Sequence, residues 1–265
     1  MDSPQNQIVK RLIILIKLYL YSFIVTPMRL LAPHTTSRCF EYPFCLINLP
    51  ERRIERILDV GPSFEFFTYL SRKAKSVFGL DPSVRIQRDL ERFKEKYQLK
   101  NERLSLIQGD ITKTPFPNNY FDIITAISTI EHIPGMGDHL AIKEMTRILK
   151  RGGKIIISVP FKTKFESLYE FRSSTKKKTF AQRYYDIENL KKRLLQNSHL
   201  KLERIAFFGN KYTAIINRIT FYLRGKFYFL LNWIGIIFAL TAFSEASPSV
   251  VGKNGGDVIL ILKKI

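Results

Sequence analysis

The stretch RILDVGPSFEFFTYL, residues Arg56–Leu70, constrains the fold more than any other part of the chain. Its first half is a short apolar run of β-forming residues that breaks at Gly61, and glycine has the backbone freedom that a strand-to-helix turn requires. A helix that begins directly after a strand presents free backbone N–H groups to an anionic ligand. The stretch therefore predicts a strand, a turn and a helix, which form either a nucleotide-binding loop or a plain turn.

A second predicted strand, residues 76–80, ends at Asp81, which lies 20 residues beyond Gly61. Doubly wound nucleotide-binding folds place an acid at this position, where it accepts hydrogen bonds from ribose hydroxyls. An acid before a proline is also an ordinary turn residue. The combined spacing favours the ligand-binding role.

Further strands alternate with helices along the chain, and this alternation indicates a parallel α/β sheet. The remaining strands of this unit are predicted over residues 104–108, 121–127 and 154–160. Helices are predicted over 64–74 and 84–97, and from Asp138 as the N-cap to Lys150, with Gly152 and Gly153 ending the last of them.

Charge and cysteine content narrow the function classes. Lysine and arginine outnumber aspartate and glutamate by 43 to 23, which gives a formal net charge of +20. Such a chain is attracted to phosphates in nucleic acid or on a membrane surface, or is merely a soluble basic protein. Cys39 and Cys45 have no companion ligands at metal-binding spacing, so we expect no metal site, no disulfide and reduced cytosolic thiols.

Residues 1–50 are predicted to precede the main domain, which is expected over 51–265. Ile8–Leu31 mixes apolar runs with four basic residues, and no small-residue cleavage site of a signal peptide follows it. It fits an amphipathic helix in the membrane interface and equally a core or lid helix that packs on the domain. The segment from His34 to Pro50 contains several prolines and is predicted to be a linker.

The motifs ILDVGPS, FGLDPS, QGD, FDIITAISTIEHIPGMGD and ILKRGGKIIISVPF occur in that order between Arg56 and about Phe208. Together they resemble the class I S-adenosylmethionine-dependent methyltransferases, and more narrowly the small-molecule and glycan-modifying branch with an IEHIP segment. The resemblance implies a doubly wound, seven-stranded Rossmann-like sheet with an antiparallel last strand. The last two strands then fall at 201–207 and 257–262, after a helix that Asp186 caps and that runs from Ile187 to Gln196.

The resemblance also implies S-adenosylmethionine as cofactor and names its binding residues. Gly61 would lie against the methionine part, and Asp81 would hold the ribose hydroxyls. Asp110 would reach the adenine amino group, Ile111 would pack on the ring, and Ser128 would line the sulfonium side.

One departure concerns the glycines that the family carries after the acid of the first loop. Here Asp59 and Gly61 are kept, but Ser63 and Glu65 occupy the next two alternating positions. Side chains there indicate a re-shaped cofactor site or a chain that has lost catalysis. Glu65 would sit in the first helical turn, where the dipole favours a carboxylate, and could pair with the cofactor's amino group. We count Asp59, Ser63 and Glu65 among the expected cofactor-binding residues.

Two segments point to the acceptor. An insertion at about 209–256 contains the uncharged run 227–243. A single crossing would separate the last strand from its neighbour, so we predict that the insertion re-enters, lies in the interface or caps the domain. The loop 161–185 carries seven basic and two acidic residues, which indicates phosphate recognition or a solvated basic loop.

His132, just beyond the fourth strand, is the candidate base for a hydroxyl acceptor, or it only ties the loop before Pro134. Glu131 would orient His132 or contact the cofactor.

These features predict a cytoplasmic, peripherally membrane-associated methyltransferase that binds anionic lipid. Its expected reaction is O-methylation of a membrane-associated lipid-linked saccharide or another lipid acceptor. Single-stranded RNA is the second candidate substrate, since basic residues with Phe and Tyr also suit stacked bases. A third hypothesis is a non-catalytic protein of this fold that binds membranes or a partner enzyme. The sequence does not predict the oligomeric state.

Overall fold

The structure, a computed structural model, describes residues 4–26, 37–83, 86–100, 103–172, 177–196, 199–210 and 244–265. The uncharged run 227–243 and most of the predicted insertion lie outside the described residues. The same holds for the C-terminal end of the predicted N-terminal helix.

A seven-stranded sheet forms the centre of the described chain, in the order β3-β2-β1-β4-β5-β9-β8. Strands β1 to β5 are parallel, and β9 runs antiparallel to both of its neighbours. The predicted doubly wound sheet with an antiparallel last strand is therefore confirmed. The strands are β1 (Ile54–Val60), β2 (Ala74–Asp81), β3 (Leu104–Gln108), β4 (Phe121–Ile127), β5 (Leu149–Phe161), β6 (Glu166–Arg172), β7 (Lys177–Tyr184), β8 (Leu200–Phe208) and β9 (Gly256–Lys264).

Helices cover both faces of this sheet, because the strand residues alternate between two apolar cores. On β1, for example, Ile57 packs into one core and Leu58 into the other. The first core joins α1 (Pro4–Val25), α2 (Arg38–Ile47), α3 (Phe64–Leu70) and α4 (Gln87–Tyr97) to the sheet. The second joins α5 (Gly137–Ile148), α6 (Ile187–Leu190) and α7 (Pro248–Asn254) to its other face.

The predicted linker before the main domain is wrong for residues 38–47, which form the buried helix α2. Prolines usually break helices, but Pro43 lies inside this one. Burial decides the conformation here: Phe40 stacks on Phe208 of β8 with ring centroids 5.0 Å apart, and Phe44 packs edge-on against the same ring. Helix α2 therefore belongs to the core.

The region after β4 also differs from the prediction. Helix α5 begins at Gly137 with Met136 in the N-cap position, so Asp138 is not the cap. The helix ends at Ile148, and the two glycines lie inside β5 rather than after a helix. They mark an irregular stretch of the strand, where the pairing shifts from Phe121 opposite Leu149 to Ile123 opposite Lys154.

The predicted basic loop after β5 is instead a hairpin, since β6 and β7 pair as an antiparallel two-stranded sheet. Its base is tied to the main sheet, because the Tyr185 N–H donates to the Pro160 carbonyl and the Lys162 N–H donates to the Tyr185 carbonyl. The chain then enters α6, where Asp186 Oδ1 accepts from the Asn189 N–H at 2.8 Å and confirms the predicted cap.

Asp138 joins the hairpin to α5 through buried charge. Its carboxylate accepts from the Tyr185 hydroxyl at 2.7 Å and from Arg193 at 2.6 Å, and it lies 3.2 Å from Arg183. Burial alone raises the pKa of this carboxyl, but the hydrogen bonds from Arg193 and Tyr185 and the charge of Arg183 bring the pKa below its ordinary value. The same two arginines donate to the carbonyl of Gly135, so the network also fixes the loop before α5.

Helix α1 packs one of its faces on the domain, as the lid alternative predicts. Leu15 and Leu18 are buried against the first core, and Arg11 pairs with Glu245 at 3.1 Å. The Arg11 guanidinium also lies over the ring of Phe208, 5.5 Å from its centroid. Among the described helices, none is both long and apolar enough to cross a bilayer.

We expect Asp138→Ala to lower the free energy of unfolding by about 3 to 5 kcal/mol, because the buried Arg183 and the partly buried Arg193 lose their carboxylate partner. The matched control is Glu55→Ala, which breaks the exposed pair with Lys75 and should cost about 1 kcal/mol or less. Urea titration of both variants measures the difference. Equal losses in the two variants would contradict the role of the Asp138 network.

Candidate active site

A cleft of about 570 Å³ opens at the carboxyl edge of the parallel strands. Residues that follow β1, β2, β3 and β4 meet there, since parallel strands bring their carboxyl ends to one edge of a sheet. Six of the ten site residues predicted from the sequence line this cleft: Gly61, Asp81, Asp110, Ile111, Ser128 and His132.

Gly61 forms the sharp turn at the end of β1. Its φ is +64°, and its N–H donates to the Leu80 carbonyl at 2.9 Å. A Cβ at this position would lie 2.5 Å from Cγ2 of Thr129, which follows β4. Both the left-handed backbone and the close approach therefore require glycine.

Two acids stand on the far side of the cleft at strand ends. Asp81 Oδ1 accepts from the N–H and the hydroxyl of Ser83, at 2.7 and 2.9 Å. Its Oδ2 receives no hydrogen bond from the part of the chain that the structure describes. Asp110 Oδ1 accepts from the Thr112 N–H at 2.8 Å, and Ile111 is nearly buried beside it.

Asp59, Ser63 and Glu65 do not line the cleft. Asp59 is buried and accepts from the Thr125 hydroxyl at 2.7 Å, and burial raises the pKa of its carboxyl to about 7. The Ser63 hydroxyl shares a hydrogen bond of 2.7 Å with the Tyr42 hydroxyl of α2. Glu65 is buried in the first turn of α3.

Ser128 is held in an unusual conformation by Glu41, a residue that the sequence analysis did not identify. Its φ is +45°, and its N–H donates to the carbonyl and the hydroxyl of Ser158 on β5. The hydroxyls of Ser128 and Ser158 both donate to Oε1 of Glu41, each at 2.6 Å. Glu41 is fully buried on α2. A lone acid within the apolar run CFEYPFCL was the signal that could have revealed it.

The same carboxylate anchors a wider buried cluster beside the cleft. Arg38 donates to Glu41 Oε2 at 3.0 Å and to the Ile127 carbonyl at 2.9 Å. Ser37 donates to Asp257 Oδ2 at 2.9 Å, at the start of β9. Burial first, and then the charge of Glu41, raise the pKa of Asp257. Helix α2 thus connects the ends of β4, β5 and β9.

The two candidate catalytic residues lie on the 3₁₀ turn Ile130–His132. His132 is exposed to the cleft, and its Nδ1 is 2.6 Å from the Ala181 carbonyl of β7. Because a carbonyl only accepts hydrogen bonds, Nδ1 carries the proton, and in the neutral ring the lone pair is on Nε2. That nitrogen lies 3.7 Å from Glu131 Oε1.

Glu131 itself is buried and does not line the cleft. Its second oxygen, Oε2, finds no hydrogen-bond partner among the described residues. Burial raises the pKa of its carboxyl from 4.5 to about 8. The carboxyl is therefore mostly neutral at pH 7, where it can donate a hydrogen bond.

Since Glu131 binds a proton more tightly in the folded state than in the unfolded state, its contribution to stability is lost as the pH rises toward and through about 8. The Glu131→Gln variant cannot lose that proton. We expect its midpoint of thermal unfolding to fall less between about pH 6 and about pH 9 than that of the unmutated protein. Glu188→Gln, at an exposed position on α6, is the control and should keep the original slope. An unchanged slope for Glu131→Gln would contradict the shifted pKa.

The family model described as "Methyltransferase domain" matches residues 58–157, which run from β1 into β5. The matched stretch contains every cleft residue named above.

Relatives found by sequence comparison are similar to part of the chain. A demethylmenaquinone methyltransferase of Geobacillus sp. (strain WCH70) is 34% identical over 116 residues, which are 42% of this chain and 43% of that protein. A ubiquinone/menaquinone biosynthesis C-methyltransferase of Sinorhizobium fredii is 27% identical over 62% of this chain and 68% of its own length. The 2-methyl-6-phytyl-1,4-hydroquinone methyltransferase of Arabidopsis thaliana is 34% identical over 40% of this chain and 30% of that protein. The chain thus matches less than half the length of the Geobacillus and Arabidopsis proteins.

Solved structures agree on the fold. A SAM-dependent methyltransferase from Methanosarcina mazei superposes with a TM-score of 0.56 at 15% identity, over 84% of this chain and 98% of that one. A geranyl diphosphate C-methyltransferase from Streptomyces coelicolor superposes with a TM-score of 0.56 at 10% identity, over 84% and 76% of the two chains. Residues 58–157 therefore match a methyltransferase domain, and the seven-stranded sheet has the fold of the class I S-adenosylmethionine-dependent methyltransferases.

Proposed function

We propose that the protein transfers a methyl group from S-adenosylmethionine to a hydroxyl of an amphiphilic lipid or lipid-linked acceptor. The observation that carries the proposal is the cleft in which Gly61, Asp81 and Asp110 meet. Its volume of about 570 Å³ is within the range of small-molecule and cofactor sites. The described residues fit the cofactor. Gly61 has no Cβ and leaves space for a ligand, and Asp81 and Asp110 provide carboxylate oxygens as hydrogen-bond acceptors.

The residues of the cleft divide the binding between them. Asp81 Oδ2 would accept hydrogen bonds from the ribose hydroxyls of the cofactor, and Asp110 would accept one from its exocyclic amino group. Gly61 lets the backbone approach the ligand, and Ser128 lines the remaining side. When bound there, S-adenosylmethionine supplies a methyl group on a positively charged sulfonium.

His132 suits the role of general base at this site. The Ala181 carbonyl fixes its tautomer, so that Nε2 can accept the proton of an acceptor hydroxyl. Glu131 Oε1 lies 3.7 Å from Nε2, so a Glu131 that loses its proton would stabilise the imidazolium.

The surface beside His132 suits an amphiphile. Strand β7 contributes Ala181 to the site, and the same hairpin exposes Tyr169 and Phe171, which are 56% and 66% accessible. Lys177 and Lys178 are exposed on the paired strand. Aromatic side chains next to ammonium groups fit an acceptor with an apolar part and an anionic group. The quinone and phytyl-hydroquinone acceptors named for the relatives share the apolar part of such a molecule.

The first test of the cofactor site is isothermal titration calorimetry with S-adenosylhomocysteine. Asp81→Ala should weaken binding by about 1 to 3 kcal/mol, because a charged hydrogen-bond acceptor is removed. Asp89→Ala, which removes an exposed acid on the following helix, should leave the affinity unchanged. Absence of binding by the unmutated protein would exclude the proposed activity.

The second test concerns the base. His132→Ala should lower the rate of methyl transfer to a membrane lipid extract by roughly a hundredfold, while the affinity for S-adenosylhomocysteine stays near that of the unmutated protein. His199→Ala is the control, since His199 is exposed and lies outside the cleft. Unchanged turnover in His132→Ala would assign that histidine to fixing the loop before Pro134.

A further inference from the structure

Helix α1 is apolar on two opposite faces, and the described protein covers only one of them. The inner face contributes Leu15, Leu18 and the Arg11 contacts to the core. The outer face leaves large apolar side chains between 38% and 61% exposed. They are Val9, Leu12, Ile13, Ile16, Leu20, Phe23 and Ile24.

The spacing of these seven residues places them on a single stripe. Steps of three and four residues return to the same side of a helix, so the stripe follows the outer face for four turns. From Val9 to Ile24 it is about 22 Å long, at 1.5 Å per residue. Single exposed apolar side chains are ordinary, but a continuous stripe of this length marks a surface that binds something.

The charges around the stripe identify what covers it. Lys10 and Lys17 are exposed and lie seven residues apart, so both stand along one border of the stripe. The chain as a whole carries a formal net charge of +20. Such a charge opposes the pairing of two copies and favours attraction to an anionic surface. An apolar stripe bordered by lysines has the pattern of a helix that lies in the headgroup region of a membrane.

We infer that the outer face of α1 docks on an anionic lipid membrane, with the stripe inserted below the headgroups and Lys10 and Lys17 at their level. Because α1 also packs on α2 and α3, docking places these helices close to the bilayer. Helix α2 carries Glu41, whose hydrogen bond to Ser128 reaches the cleft. A lipid acceptor could then enter from the membrane, which is the one part of the inference that rests on the proposed function.

The test is sedimentation with vesicles of phosphatidylcholine and phosphatidylglycerol, with neither cofactor nor acceptor present. The double variant Ile16→Gln/Leu20→Gln keeps good helix formers and removes the centre of the stripe. We expect its vesicle affinity to fall by roughly tenfold or more, since each side chain loses apolar burial. The control Leu140→Gln/Val250→Gln alters two residues that are similarly exposed, at 48% and 43%, outside α1, and should bind as the unmutated protein does.

Two further measurements complete the design. Circular dichroism verifies that both double variants are folded. Light scattering in the absence of lipid measures the molecular mass, and a dimer of the unmutated protein that the α1 variant converts to monomer would overturn the inference in favour of a second copy. Equal sedimentation of the α1 variant and its control would overturn it as well. Vesicle binding is measured without catalysis, so a protein that does not bind vesicles would contradict the membrane surface but not the proposed methyl transfer. A protein that does not bind the cofactor would contradict the methyl transfer but not the membrane surface.

Discussion

The close approach of Gly61 to Thr129 is the constraint on which the cleft depends. It brings the ends of β1 and β4 together with no space for a side chain between them. Ser128, which precedes Thr129, has a left-handed backbone. Hydrogen bonds with Ser158 and Glu41 hold it in this conformation. The edge of the sheet where a ligand would lie is thus fixed by sterics on one side and by buried hydrogen bonds on the other.

Those buried hydrogen bonds make α2 part of the site rather than an accessory. Arg38 and Glu41 connect it to β4 and β5, and Ser37 connects it to Asp257 on β9. The buried carboxylate of Glu41 is stable because hydroxyl and guanidinium groups donate hydrogen bonds to it. Burial raises the pKa of Glu131 and of Asp257, so these two carboxyls stay protonated to higher pH.

The sequence was informative where one local signal decided the structure. Strands β3 and β4 have the predicted bounds, because charge or turn residues flank short apolar runs, and six predicted site residues follow strand ends that converge in space. The predictions from sequence were wrong where tertiary contacts determine the local structure. The prolines in residues 34–50 indicated a linker, but α2 forms there because Phe40 and Phe44 are buried against Phe208. Asp138 has the spacing of a cap but pairs with arginines from distant elements. The lone acid in the apolar run 39–46 indicates a buried role for Glu41, but no local pattern identifies Ser128 as its partner.

Helix α1 and the β6–β7 hairpin give the domain two surfaces that combine apolar side chains with lysines, and the hairpin borders His132. The proposed function is the transfer of a methyl group from S-adenosylmethionine in the cleft to a lipid acceptor. The most direct test uses S-adenosylmethionine with a tritium-labelled methyl group. The labelled cofactor is incubated with the protein, with vesicles made from the membrane lipids of one cell culture, and with total RNA from that culture, and the tritium in each fraction is measured. The account predicts label in the organic extract, dependent on the protein and abolished by excess S-adenosylhomocysteine. Label in RNA alone, or in neither fraction although the cofactor binds, would contradict it.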